Sequence, residues 1–230
     1  MSSSKATAIV LLPGMDGTGE FLRALAERLS SDRPVRLIDY PTDRVLEYDQ
    51  LVAHVRECLP SQRVVVLGES FSGPIAIEVA ATDRRIVGLI LASSFARHPM
   101  PRQLAPLTKL LGVRWMPTSV IAAALMGSWA TPKLRQRLRD VLADLPREII
   151  QARARDVLRV DKRKRLSETR CPVLCLHGRS DRLARKGPVN DAVAARPDCQ
   201  VHWLDGPHML LATHTDMAAR IIEEFCGHLN

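Results

Sequence analysis

Six short, nearly unbroken apolar runs fall in two stretches of this chain, and helical patterns separate them. The runs are Thr7–Leu12, Val35–Asp39, Arg63–Leu67, Val87–Ala92, Pro172–His177 and Gln200–Leu204. A strand that alternates apolar with polar residues has one dry face; a continuous run needs both faces covered. The helical stretches between them, at about 20–30, 45–59, 73–82, 188–196 and 215–228, supply that cover. Strand and helix in strict alternation lead to parallel strands with helices on both sides. The expected fold is therefore α/β: three layers, doubly wound, around a mostly parallel sheet of about six strands.

The alternation breaks once, between Ala92 and Cys171. Within that gap Leu134, Leu138, Val141, Leu142 and Leu145 recur at helical spacing and form one apolar stripe. A second helix is expected to start at Pro146, a favoured first-turn residue, with Ile150, Ala154, Val157 and Leu158 on one face. Leu104, Leu107, Leu110, Leu111, Trp115 and Met116 add apolar mass. The pattern reads as a core made of residues 1–95 and 171–230, interrupted by a helical cap at 96–170. A chain of 230 residues, 46% hydrophobic, is long enough for one such core and its insertion but cramped for two unrelated domains.

Charge is concentrated in the insertion. Residues 97–170 carry 17 Lys and Arg against 6 Asp and Glu, a balance of +11 in a chain whose whole balance is +8. The cluster Lys162-Arg163-Lys164-Arg165 stands out, as a solvated helix face or as a surface for an acidic partner. No interleaved aromatics accompany it, which argues against nucleic acid. The longest uncharged stretch, Trp115 to Pro132, contains two prolines and four Ser or Thr residues, so no transmembrane segment is expected. Five scattered cysteines without a CxxC pair read as reduced thiols. With no secretory pattern at Met1 to Ala6, a cytoplasmic location is expected. HExxH, P-loop and GxGxxG patterns are also missing, and the expectation is chemistry without cofactor or metal.

The chemistry centres on Gly68-Glu69-Ser70-Phe71-Ser72-Gly73, where the third strand run turns into a helix. Small residues two before and two after Ser70 are what so sharp a turn requires, and the turn leaves the serine hydroxyl exposed at the strand end. A serine hydroxyl needs a base, and the base needs an orienting group. Ligands of open parallel sheets bind at the carboxyl edge, so both partners should follow strand ends there. Asp181 follows the fifth run and His208 the sixth. Ser72 is the weaker nucleophile candidate because Pro74 follows it two residues on. His214 is the rival base, placed nearer the last helix; His177 reads as a turn hydrogen bond. Glu69 is either a carboxylate supporting the site or a solvated turn residue.

Four segments resemble the α/β-hydrolase superfamily in the order that family uses: Leu11 to Gly17 its first-strand loop, Gly68 to Gly73 its nucleophile elbow, Leu176 to Asp181 its acid turn, and Gly206-Pro207-His208 its histidine loop. The resemblance implies a Ser70, Asp181, His208 triad and an oxyanion hole made by the backbone N–H groups of Met15 and Phe71. It also implies that the insertion is a lid. Pro13-Gly14-Met15-Asp16-Gly17 is similar to the loop variant of some lipid esterases and acyltransferases.

The expected activity is a serine carboxylesterase or thioesterase acting through an acyl-enzyme on a hydrophobic or acyl substrate. That substrate is a small-molecule ester or thioester, carried on an acidic acyl-carrier protein or CoA if the basic cap is functional. The alternatives are an acyltransferase with the same triad, a non-catalytic protein binding a small ligand, and haloperoxidase or carbon–carbon hydrolase chemistry.

Overall fold

A computed structural model describes residues 7–99, 117–184 and 186–229. Its sheet has six strands: Ala8–Leu12 (β1), Val35–Leu37 (β2), Val64–Glu69 (β3), Ile86–Ala92 (β4), Val173–Gly178 (β5) and Gln200–Leu204 (β6). All neighbours pair in parallel, in the order β2-β1-β3-β4-β5-β6. In register, Leu11 lies opposite Leu67, Leu67 opposite Ile90, and Ile90 opposite Leu174.

Successive residues of each central strand enter different layers. Val10 and Leu12 pack in one apolar cluster, Ile9 and Leu11 in the other. The first layer receives Leu51, Val52 and Val55 of helix α2 (Tyr48–Cys58), and Ile75 and Val79 of α3 (Gly73–Thr82). The second receives Leu25 and Leu29 of α1 (Arg23–Leu29), with Ala218, Ile222 and Phe225 of the last long helix, Thr215–Gly227. This three-layer arrangement agrees with the expected architecture. β2 is shorter than its apolar run because it lies at the sheet edge, where Val35 and Leu37 are only half-buried and Arg36 is exposed.

The strand order reverses between β1 and β3, since the chain steps outward from β1 to β2 and then returns to the other side. Such a switch point opens a crevice at the carboxyl ends of the two strands. The loop after β1 and the turn after β3 flank that crevice here.

The excursion between β4 and β5 includes α4 (Thr118–Met126), α5 (Pro132–Asp144) and α6 (Arg147–Arg159), followed by a short α7 (Arg163–Glu168). Thr131 caps α5 by accepting from Leu134 N. Leu138, Val141 and Leu145 are buried on the anticipated stripe, with Leu134 and Leu142 half-buried. The two ends of the excursion clasp each other: Lys162 N donates to Ala96 O at 2.7 Å and His98 N to Val160 O at 3.0 Å. α7 packs on α3 and on α8 (Lys186–Ala195). Leu104, Leu107, Leu110, Leu111, Trp115 and Met116 lie outside the described residues.

Two expectations about the excursion change. Helix α6 buries Ile149, Ala152 and Arg153, one residue round from the expected face, leaving Ile150, Ala154, Val157 and Leu158 half-buried. And the basic cluster is largely neutralised: Lys162 and Arg165 both reach Glu78 of α3, at 2.9 and 3.3 Å, while Arg163 pairs with Asp161 and Arg165 also with Glu168. Among the described residues no helix is long and apolar enough to cross a membrane. The five cysteines are free thiols.

Candidate active site

Ser70 follows the last residue of β3 directly and has φ +49°, a left-handed conformation that non-glycine residues rarely adopt. The turn is held closed from both ends. A Cβ at Gly68 would stand 2.6 Å from Ser72 O, so a larger residue there would push the helix away from the strand. Behind the turn, Ser93 also has positive φ, +46°, which swings the chain after β4 so that Ser94 Oγ donates to Ser70 O at 2.5 Å. A strained backbone that persists this way is the usual mark of a functional turn.

From this elbow Ser70 Oγ lies 2.8 Å from His208 Nε2, and His208 Nδ1 lies 2.8 Å from Asp181 Oδ2. The second carboxylate oxygen of Asp181 accepts from Leu183 N and Ala184 N, each at 2.8 Å. Burial works to raise the Asp181 pKa; the His208 bond and charge and these two amides prevail and hold it below the ordinary 3.8. The acid and histidine loops meet because residue 178 is glycine, where any Cβ would overlap Gly206 O and Pro207 O. Asp181 and His208 are only 5% and 6% exposed, which keeps their bond out of water. The structure thus brings Ser70, His208 and Asp181 into one relay.

The other candidates go elsewhere. Ser72 Oγ donates to Pro13 O and is 2.5 Å from Tyr40 Oη, tying the elbow to the first-strand loop. His214 bonds its own neighbour Thr213 and packs on Trp129. His177 departs from expectation: its Nδ1 is buried and finds no partner among the described residues, and burial lowers its pKa to about 4, so the ring is neutral. Met15 sits in the loop after β1, where Gly17 N closes a turn onto Gly14 O at 3.1 Å. Phe71 is the middle residue of the helical turn Ser70–Ser72, fully buried, its carbonyl accepting from Tyr48 Oη at 3.0 Å. Among the described residues, no group of three or more His, Cys, Asp or Glu side chains is placed to hold a metal ion.

Glu69 is buried, and no base pairs with it among the described residues. It is 5% exposed beneath the first-strand loop, and burial, with Asp16 adding repulsion, raises its pKa from 4.5 to about 8 against a bond from Gly14 N–H. The folded state therefore holds a proton on Glu69 that the unfolded chain releases near pH 4.5. That contribution to stability is complete below 4.5 and is lost as pH rises to about 8, a change on the order of 4–5 kcal/mol. Glu69→Gln keeps an acceptor for Gly14 and has no proton to lose. We expect its Tm to exceed wild type at pH 8 and to converge with it near pH 4; parallel Tm curves across that range would refute a buried neutral Glu69.

A sequence model of the alpha/beta hydrolase family matches residues 8–224. The chain belongs to that family. Among solved structures, this chain resembles a bromoperoxidase from Bacillus anthracis, with TM-score 0.85 and 19% identity over 96% of this chain and 91% of that one. A thermophilic esterase from Thermogutta terrifontis gives 0.81 and 18% over 98% and 91%. At such identities these likenesses speak for the fold. A chloroplastic phytyl ester synthase 1 from Arabidopsis thaliana is 31% identical over an alignment of 117 positions that covers 46% of this chain and only 16% of that protein.

Sequence reasoning missed Arg153, Tyr40 and Ser94. Arg153 is 2% exposed and reaches from α6 to the first-strand loop, donating to Met15 O at 2.8 Å, Asp16 O at 2.7 Å and Pro41 O at 3.1 Å. The available signal was its spacing, four residues after Ile149 and one after Ala152, on the stripe that is buried. The excursion between β4 and β5 also meets the histidine loop, where Met209 N donates to Leu125 O at 3.0 Å. Met126, Leu138 and Val141 pack there against Phe21 and Met209. A groove of about 600 Å³ runs between α5 and the first-strand loop, lined by Thr18, Glu20, Thr42, Lys133, Arg137 and Val141 among others, and not by Ser70 or His208.

Proposed function

We propose that this chain is a serine hydrolase of carboxylic ester or thioester bonds. The observation that carries the reading is the relay of two 2.8 Å hydrogen bonds from Ser70 through His208 to Asp181, set on a left-handed elbow. His208 Nε2 takes the hydroxyl proton as Ser70 Oγ bonds to the acyl carbon. Asp181 holds Nδ1–H and stabilises the imidazolium. The tetrahedral oxyanion is met by Met15 N–H and Phe71 N–H, a preorganised pair that need not rearrange as charge develops. The intermediate collapses with cleavage of the C–O or C–S bond, and His208 returns the proton to the departing alcohol or thiol. Water, deprotonated by the same histidine, then releases the acid and restores Ser70.

An acyltransferase differs only in using an alcohol in the second step. The relative named as a phytyl ester synthase supports keeping this reading. The deciding experiment offers an activated ester panel graded by acyl length to the protein in water with and without a long-chain alcohol. Free acid as the product throughout supports the hydrolase; ester as the main product in dilute alcohol supports the transferase. If no ester turns over and a fluorophosphonate leaves Ser70 unlabelled, the chain is a ligand-binding protein instead.

With Lys162, Arg163 and Arg165 paired internally, an acidic carrier or CoA must be recognised by other cap cations, such as the exposed Lys133, Arg147, Arg155 and Arg159. On that reading kcat/KM for an acyl-CoA falls steeply with added salt while that for a neutral ester stays flat. Equal salt responses exclude the anionic carrier.

A further inference from the structure

Every backbone carbonyl from residue 13 to residue 17 has a partner. Pro13 O accepts from Ser72 Oγ, Gly14 O from Gly17 N at 3.1 Å, Met15 O and Asp16 O from Arg153 Nη1 at 2.8 and 2.7 Å, and Gly17 O from Tyr40 N at 2.8 Å. Gly14 C=O and Met15 N–H belong to one planar peptide and point opposite ways. The turn that engages the carbonyl therefore aims the N–H outward, and the guanidinium holds the next two peptides so that the turn cannot roll over.

The same side chain touches the other half of the site. Its guanidinium carbon lies 6.0 Å from the ring centroid of Phe71, the residue whose N–H is the second donor, and 5.6 Å from that of Tyr40. Gly17, at φ +76°, leaves the space it needs: a Cβ there would stand 2.5 Å from Nη1. No carboxylate bonds Arg153 directly among the described residues; carbonyl dipoles and ring faces contact its charge, and the Asp16 carboxylate acts on it through space. A charge buried on those terms is a costly way merely to fill a cap–core interface, which an apolar side chain fills more cheaply.

We propose that Arg153 is a positioning residue that sets the oxyanion hole from within the cap, so that the hole is competent only while α6 is seated on the first-strand loop. This rests on the reading of Met15 N–H as an oxyanion donor.

Arg153→Lys and Arg153→Met are compared with wild type for Tm, kcat, KM, the rate of Ser70 labelling by a fluorophosphonate, and affinity for a trifluoromethyl ketone that forms a tetrahedral adduct. We expect kcat and labelling to fall about 10²-fold in both, as for loss of an oxyanion donor, with KM nearly unchanged. Ketone affinity falls in step with kcat. In Arg153→Ala, millimolar guanidinium restores part of kcat and urea does not. If Arg153→Met does not fold, Arg153→Gln, a neutral side chain too short to hold Met15 O, Asp16 O and Pro41 O together, must show the same loss. Folded variants with wild-type kcat and labelling, or with a lowered Tm alone, overturn the proposal while the hydrolase reading stands. A folded wild type that neither reacts with the probe nor turns over esters overturns both.

Discussion

Ser70→Ala is expected to lower kcat/KM for the best ester by 10⁴- to 10⁶-fold, on the order seen when a triad nucleophile is lost, and to abolish fluorophosphonate labelling. The residue left behind keeps the Cβ and therefore the strain of φ +49°, so Tm should hardly move. Ser70→Gly separates strain from chemistry. It is equally inactive, but glycine adopts that φ without penalty, and the protein should gain about 1 kcal/mol, which is about 2–4 °C in Tm for a chain of this length. An inactive, more stable glycine variant beside an inactive alanine variant of ordinary stability would identify an elbow held strained for its chemistry. Hydrolysis that survives in both would move the nucleophile elsewhere.

The parts of this molecule that could be read from its sequence are those decided locally. β1, β3, β4 and β5 are buried on both faces and therefore appear as unbroken apolar runs, whereas β2 was read too long because only part of its run pairs at the edge. Ser70, Asp181 and His208 were legible because each follows a strand end on one edge of the sheet and a small residue marks each turn. What escaped depends on contacts between distant segments. Arg153 is one of the 17 cations of residues 97–170, and nothing local says that five carbonyl and ring partners from residues 15–71 await it. The same blindness made Lys162 to Arg165 resemble an unpaired patch, although Glu78, more than eighty residues earlier, pairs with two of those cations. Ser94 reaches the elbow only because Ser93 adopts a left-handed conformation, which its sequence neighbours do not require.

Asp181→Asn tests the relay without dismantling the loop. Asp181 has two distinct tasks: one oxygen accepts Leu183 N and Ala184 N, the other accepts His208 Nδ1–H. An asparagine can keep only one of them, because its oxygen is needed by the two amides and its NH2 must then face His208. Nδ1 becomes the acceptor and the ring proton moves to Nε2, where it confronts the Ser70 hydroxyl and can no longer receive its proton. We expect kcat to fall about 10⁴-fold with Tm near wild type at neutral pH. Asp181→Ala should be as inactive but less stable, since the two buried amides lose their partner. The pH dependence has a definite sign. Because the folded pKa of Asp181 lies below the ordinary 3.8, its contribution to stability is present above that value and is lost as pH falls through the folded one. The asparagine variant lacks that loss, so its Tm should decline less than wild type on acidification. A kcat within tenfold of wild type in Asp181→Asn would remove Asp181 from the mechanism and leave its carboxylate a loop-bracing role only.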